Sequence, residues 1–241
     1  MRLLTLAFCA ICFAVCGEPG RAQTNPDATV VELDGANSLQ RMREYFAHAP
    51  EIEFQTSFRE TSDLPGMGQH GTAHYYIRKP RSFRVELSSS KGNYIFVSDG
   101  TTFTMYRPKT QKYARMPAGN TIVGTMYLGI GLLGVQAKLI DFIWAVGDSE
   151  QISLKSIGLE TIGGKSCDHL SVQRFEHHWD VWIRRDGIPA PCKIVNRSLD
   201  SNDNSVQRNE LVWAENPAFR PDLFVFVPPA GAVEVWPSEF D

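Results

Sequence analysis

The sequence predicts a mainly β fold with some α structure: an antiparallel sheet of short strands on which helices pack. Beyond residue 150, five runs with alternating apolar residues follow one another through short, turn-rich connections. Asp99-Gly100, a strong hairpin signal, separates two earlier runs. Residues 120–146 break the alternation and then adopt helical spacing. We therefore expect helix between two sets of strands.

Residues 1–22 have the pattern of an export signal. Arg2 precedes an apolar stretch that is too short to cross a bilayer, and a small-x-small sequence ends at Ala22. We expect cleavage near Ala22 and a periplasmic protein. Cys16 lacks the small residue that normally precedes a lipidated cysteine, so the sequence argues against lipid anchoring there.

After the signal we expect a flexible lead over residues 23–37 and a single domain over residues 38–241. The domain begins with a helix, because apolar residues recur with helical spacing between Ser38 and Pro50. Two strands follow, separated by the turn-rich residues 64–68.

The hairpin around Asp99-Gly100 predicts which side chains share a face of the sheet. A two-residue turn there pairs Phe96 with Phe103. The next pair on the same face is then Tyr94 with Met105. The preceding strand alternates in the same way. The seven side chains expected on the buried face are Phe83, Val85, Leu87, Tyr94, Phe96, Phe103 and Met105.

Residues 120–146 admit two interpretations. In one, short helices cap the open end of the sheet and bury their apolar side chains against it. In the other, the segment is a mobile apolar lid over a ligand cavity, because glycines weaken its first half as a stable helix. The two interpretations are compatible. The lid side chains expected to face the sheet are Leu133, Leu139, Ile140, Phe142, Ile143 and Trp144.

Two expectations concern the C-terminal half. The tail at residues 223–229 is predicted to add a short edge strand that prolines stop. On the strand after His177, Trp179 falls on the core face and Trp182 on the wetter face. Because a large indole is costly to expose, we expect a neighbouring loop or helix to cover Trp182.

The sequence carries no motif for catalysis. A net charge of −3 argues against a nucleic acid partner. His177 and His178 are adjacent on a predicted strand, so they point to opposite faces and cannot share a metal ion. There is no nucleophile elbow and no phosphate-binding loop, and Cys167 near His169 lacks an activating group. We expect a protein that is not an enzyme, with no metal, no cofactor and no membrane span.

Only Cys167 and Cys192 remain once the export signal is removed. An oxidising compartment favours a disulfide between them. Their expected positions argue against one, because a strand separates them and next-but-one strands lie roughly 10 Å apart. The sequence leaves both outcomes open.

Several weak motifs follow one another along the chain. They are the early helix, Phe83-Arg84-Val85-Glu86, Asp99-Gly100 with Tyr106-Arg107-Pro108, Cys167-Asp168-His169-Leu170, Trp179-Asp180-Val181-Trp182-Ile183, and the tail around Phe224-Val225-Phe226. In this order they resemble a family of predicted periplasmic proteins of unknown function that is related to the LolA/LolB-like lipoprotein carriers. The resemblance spans residues 38–235.

The resemblance implies a strongly curved antiparallel half-barrel whose concave side is closed by helices. In the carriers the apolar cavity thus formed holds acyl chains. No catalytic residues are implied. This chain departs from the family pattern at His178, where an acidic residue is expected, and at residues 123–135, which are more apolar and richer in glycine. We therefore expect its lid to differ.

The leading hypothesis is a periplasmic, non-enzymatic binding protein that shelters a lipid or acylated ligand between sheet and lid. The seven strand residues and six lid residues named above would line the cavity, although alternation alone fits a solid core equally well. A second hypothesis is an interaction or sensor module with a filled core and an envelope protein partner. The third and least supported is a periplasmic hydrolase that acts through Asp168, His169 or His178.

Overall fold

The computed structural model describes residues 26–63, 66, 68–129, 139–140, 142–143, 152–174, 177–199 and 204–240. Within them, twelve strands form one open, curved sheet, which confirms the predicted mainly β half-barrel. The expected export signal, as well as Leu133 and Trp144 of the lid, lies outside the described residues. Among the helices of the described part, none has the length and apolar character to cross a membrane.

The sheet is built from two antiparallel meanders. The strands are β1 (Glu51–Thr61), β2 (Gln69–Arg78), β3 (Ser82–Ser89), β4 (Gly92–Ser98), β5 (Thr102–Arg107), β6 (Lys112–Pro117), β7 (Ser153–Ile162), β8 (Lys165–Arg174), β9 (His177–Arg184), β10 (Pro191–Ser198), β11 (Val206–Trp213) and β12 (Val233–Glu234). Their order is β12-β6-β5-β4-β3-β2-β1-β11-β10-β9-β8-β7. The meanders β1 to β6 and β7 to β11 meet where β1 pairs with β11.

The two faces of the sheet differ as the alternation predicts. Along β1, Ile52, Phe54 and Phe58 are buried, whereas Gln55 and Ser57 between them are exposed. Helices pack on the first face, which we call the helix-covered face. The opposite side, with Gln55 and Ser57, is the outer face.

Helix α1 (Pro26–His48) begins well before the expected start at Ser38, inside the segment predicted to be a flexible lead. Proline suits the first turn of a helix, because the amide that it lacks would have no helical partner there. Gly35 lies where this helix passes so close to the sheet that a side chain would not fit. An ideal Cβ on Gly35 would lie 2.7 Å from Leu170 Cδ2 and 2.9 Å from the Cβ of Ser156.

We expect Gly35→Ala to destabilise the protein. In an exposed helix the same change adds about 1 kcal/mol of stability. Here the new methyl group would force α1 off the sheet, so the free energy of unfolding should fall by about 1–3 kcal/mol in urea denaturation. Asn37→Ala on the exposed side of α1 is the control and should change it by less than about 0.5 kcal/mol. A more stable Gly35→Ala protein would contradict the close approach.

The described parts of the predicted lid are helical. Helix α2 (Ile122–Leu128) begins after Thr121, whose Oγ1 accepts a hydrogen bond of 2.9 Å from the Gly124 amide. It ends at Gly129. Residues 139–140 and 142–143 are also helical, and they contribute buried side chains to the core.

The predicted register of the β4–β5 hairpin is wrong by two residues. Met105, expected opposite Tyr94, pairs with Phe96 instead. The turn is longer than two residues because the Asp99 carboxylate accepts hydrogen bonds of 2.7 Å from the amides of the two threonines after Gly100. A shift of two keeps every side chain on its predicted face. The rings of Phe96 and Phe103 still stack diagonally, with centroids 6.3 Å apart.

The prediction of an edge strand at residues 223–229 is also wrong. Pro221–Phe224 is a 3₁₀ turn, and the extended edge partner of β6 is the parallel strand β12. Prolines 228 and 229 supply no amide for a ladder, so side chains hold the tail instead. Phe226 packs on Tyr106 and Tyr113 of the outer face, with ring centroids 5.5 and 5.4 Å apart.

Candidate functional site

The helix-covered face forms one continuous apolar cluster with the helices. Eleven of the thirteen predicted lining residues are described, and all eleven are buried in this cluster. They are Phe83, Val85, Leu87, Tyr94, Phe96, Phe103, Met105, Leu139, Ile140, Phe142 and Ile143. The structure thus brings the predicted strand and lid residues together. That they bind a ligand stays a prediction.

The lid contacts both meanders of the sheet. At the end of α2, an ideal Cβ on Gly129 would lie 3.1 Å from Phe103 Cζ and 3.6 Å from Phe96 Cε1, so the backbone rests on these two rings. Further along, the Phe142 ring lies 5.8 Å from Trp179 of β9. A displacement of the lid would therefore uncover aromatic surface on both halves of the sheet.

Sequence reasoning omitted part of this cluster from the predicted lining. Phe54 of β1 and Tyr75 of β2 stack in its centre, with centroids 4.4 Å apart, and their alternation was a signal that could have included them. Phe46 of α1 packs on Trp213. Phe240 is buried beside Tyr94, with ring centroids 6.4 Å apart. No local pattern marks Phe240, because its burial depends on the return of the tail to the sheet.

Several cavities are bordered by described residues. One is a groove of about 580 Å³ that crosses β11, β1, β2, β3 and β4, where Leu87 and Tyr94 of the apolar cluster border it together with polar residues of the outer face. A second, of about 740 Å³, lies beside α1 and the β9–β10 turn, where Arg41 and Arg185 border it. The second cavity is lined by polar and charged side chains, whereas the groove has both polar and apolar lining.

A polar network occupies the outer face of β7 to β10. His169 lies between two carboxylates, with Nδ1 2.7 Å from Glu160 Oε1 and Nε2 3.4 Å from Asp180 Oδ1. Its ring stacks on Trp182 at 4.1 Å, and the Lys193 ammonium lies 4.3 Å from the Trp182 ring centroid. The expectation that a loop or helix covers Trp182 is wrong, because side chains of the adjacent strands bury it.

The carboxylates of this network are held ionised. The Trp182 indole donates a hydrogen bond of 2.9 Å to Glu160 Oε2 and lowers the pKa of Glu160. Burial opposes ionisation of Asp180, but the hydrogen bond from Arg197, assisted by His169, outweighs it and lowers the pKa of Asp180. A general acid needs the opposite shift, so neither carboxylate is suited to that role.

The residues predicted for a hydrolase do not converge. Asp168 lies on the helix-covered face and accepts a hydrogen bond from Ser38, whereas His169 and His178 lie on the outer face. Ser171 Oγ is 2.8 Å from His178 Nε2, but Asp180 approaches the same nitrogen, at 3.8 Å. A catalytic triad needs the carboxylate on the other nitrogen. In the described ranges, His, Cys, Asp and Glu side chains form no group of three suited to a metal ion.

Asp180→Asn should reveal the pH dependence of this network. Because the pKa of Asp180 is lowered in the folded state, its ionisation stabilises the protein above pH ~4 and ceases to do so as the pH falls through the folded pKa. Urea denaturation should show a loss of about 1 kcal/mol at pH 7, since the partner Arg197 is partly exposed. The difference between variant and native protein should shrink towards zero near pH 2. A loss that is equal at both pH values would contradict the ion pair.

Comparison with known proteins places the chain in a family. A model for the predicted periplasmic proteins of DUF2092 matches residues 35–236. No curated protein matches the sequence. An uncharacterised conserved protein from Thermus thermophilus has a similar structure, with a TM-score of 0.50, 14% identity, and coverage of 84% of this chain and 99% of that one.

Two further structures are similar at lower scores. The lipoprotein LppX of Mycobacterium tuberculosis has a TM-score of 0.48 and 13% identity, over 78% of this chain and 98% of that one. A LolA superfamily protein of Nitrosomonas europaea has a TM-score of 0.42 and 9% identity, over 80% and 97%. The family match covers most of the sequence and confirms the resemblance inferred from the motifs. The chain belongs to the DUF2092 family of predicted periplasmic proteins.

Proposed function

We propose that the protein is a non-enzymatic periplasmic binding protein that shelters an acyl chain between the sheet and the lid. One observation carries this proposal. The apolar cluster runs without interruption from Met105 of β5 to Leu170 of β8 and lies under helical segments that contact both meanders. A sheet covered in this way offers a long apolar surface, which suits an acyl chain better than a compact polar ligand.

The lid has features that suit movement. Its contact with the sheet at Gly129 is made by backbone, so no side chain of that residue interlocks with the aromatic rings. Leu128 and Tyr127 at the end of α2 are 49% and 39% exposed, although both are large and apolar. Exposed apolar side chains beside a buried cluster favour contact with a lipid surface or an acylated donor.

Acyl binding should depend on chain length. Each buried methylene contributes about 0.8 kcal/mol, which corresponds to roughly a fourfold increase in affinity per carbon. We expect this slope when the purified full chain is titrated by calorimetry with saturated fatty acids of increasing length, until the space is filled. A negative heat capacity change should accompany binding. Affinity that is absent or independent of chain length would refute the proposal.

A pair of variants locates the site. Phe142→Asp puts a charge where the lid meets Trp179 and should abolish binding, because an unpaired carboxylate cannot be buried with an acyl chain. Trp236→Asp replaces an aromatic that is 75% exposed and outside the cluster, and it should bind like the native protein. Circular dichroism checks that both variants fold, and Phe142→Ala is the milder substitute. Equal binding by both variants would place the ligand elsewhere.

A further inference from the structure

Cys167 of β8 and Cys192 of β10 are neighbours, although β9 lies between their strands. Both are free thiols in the structure, and both are buried in a small cluster on the outer face with Trp182 and Val195. The two thiols interact, because each shifts the pKa of the other. The roughly 10 Å separation expected for next-but-one strands does not apply here.

A β-bulge brings the two cysteines together. The register of β9 and β10 shifts between Pro191 and Lys193, so Cys192 is the extra residue on β10. A bulge bends its strand and redirects the side chain of the extra residue. Cys167 pairs across the β8–β9 ladder with Arg184, whose guanidinium donates to Glu215 Oε1 at 2.9 Å. The Arg184 head group is therefore engaged elsewhere, and both cysteines join the small cluster around Trp182 of β9.

We infer that Cys167 and Cys192 are the site of a disulfide bond, formed by exchange with a small-molecule or protein disulfide. One thiolate attacks a sulfur of the donor, forms a mixed disulfide and expels the first donor thiolate. The second cysteine loses its proton and attacks the mixed disulfide, which expels the second donor thiolate. Two protons and two electrons leave the cysteine pair, and the donor disulfide is reduced to two thiols.

The surroundings assign the order of attack. The contact with Cys167 and the nearby Arg184 and Lys165 lower the pKa of Cys192. The same contact and burial raise the pKa of Cys167. Cys192 is 6% exposed, whereas Cys167 is fully buried. Cys192 is therefore the thiolate that reaches the donor, and Cys167 resolves the mixed disulfide.

Peptide mapping tests the inference. The purified full chain is reduced, freed of reductant and incubated folded with glutathione disulfide, then alkylated in denaturant and digested with trypsin. We expect residues 166–174 and 186–193 to appear as one linked peptide that reductant separates. Two alkylated peptides, or stable glutathione on Cys192, would overturn the inference.

Variants and a stability measurement complete the test. Cys167→Ala should retain glutathione on Cys192, because the resolving thiol is missing, whereas Cys192→Ala should take up far less. The oxidised native protein should melt several degrees above its reduced form, because the bond restricts the unfolded chain. The Cys192→Ala protein should show no such difference between oxidising and reducing conditions. An equal shift in Cys192→Ala would also overturn the inference.

Discussion

Replacing Phe103 by alanine should lower the free energy of unfolding by about 3–5 kcal/mol. Phe103 is fully buried, its ring lies 5.8 Å from that of Phe83 and 6.3 Å from that of Phe96, and the end of α2 rests on it at Gly129. The loss combines the transfer energy of the ring with the cost of the space that it leaves. Chemical denaturation with urea measures it.

The matched control for Phe103→Ala is Leu128→Ala. Leu128 belongs to α2 and is 49% exposed, so its truncation should cost less than about 1 kcal/mol. A similar cost for both variants would show that Phe103 is not packed between sheet and lid.

The Phe103→Ala variant also tests the proposed ligand site. The space left by the ring lies directly under the lid, where the acyl chain is proposed to bind. The variant should therefore bind longer or branched chains that the native protein excludes. It should bind them more tightly than the chain that the native protein prefers. Calorimetric titration with the same series of fatty acids measures this change in chain preference. If stability falls but the chain preference is unchanged, Phe103 contributes to packing only. The ligand then does not bind at this position.

Asp168→Ala should have the second large effect, a loss of about 3 kcal/mol of unfolding free energy. Asp168 is buried where α1 crosses β8. Its carboxylate accepts a hydrogen bond from the buried Ser38 hydroxyl and lies 3.2 Å from Arg185 Nε. The substitution leaves the buried Ser38 hydroxyl without its acceptor, which costs more than the contact itself contributes.

The consequence for α1 can be measured separately. Because Asp168 ties α1 to the sheet, amide hydrogen exchange in α1 should accelerate more than exchange in the central strands. Asp222→Ala is the control, since Asp222 forms an ion pair of 3.3 Å with Arg220 in which both side chains are largely exposed. It should change stability by less than about 1 kcal/mol. Equal effects of the two substitutions would contradict the anchoring role of Asp168.

The face of each strand was predictable because alternation is a local property. Phe83, Val85 and Leu87 are buried as expected, and an error of two residues in the β4–β5 register left the faces unchanged. The register itself depended on two hydrogen bonds to the Asp99 carboxylate. The alternation of apolar residues contains no information about such bonds. Candidate lining residues followed from the same alternation. Their assembly under the lid required the tertiary structure.

Other features were invisible to local reasoning because their cause lies far away in the chain. Gly35 belongs to the predicted flexible lead, and only its close approach to Leu170 shows why a glycine lies in α1 at this position. Trp182 suggests a covering loop until His169 is found stacked on its ring. For Cys167 and Cys192 the sequence left both outcomes open, and the bulge at Cys192 appears only in the structure.

The sequence by itself determined the mainly β class, the buried face of the strands, a helical interruption in the region of residues 120–146 and the family to which the chain belongs. These follow from periodicity and motif order, which a few neighbouring residues express. The tertiary structure alone decided the pairing of β1 with β11, the approach of α1 to β8, the meeting of the two thiols and the place of Phe240. Each depends on contacts between segments distant in sequence, where close packing and hydrogen-bond partners outweigh local preference.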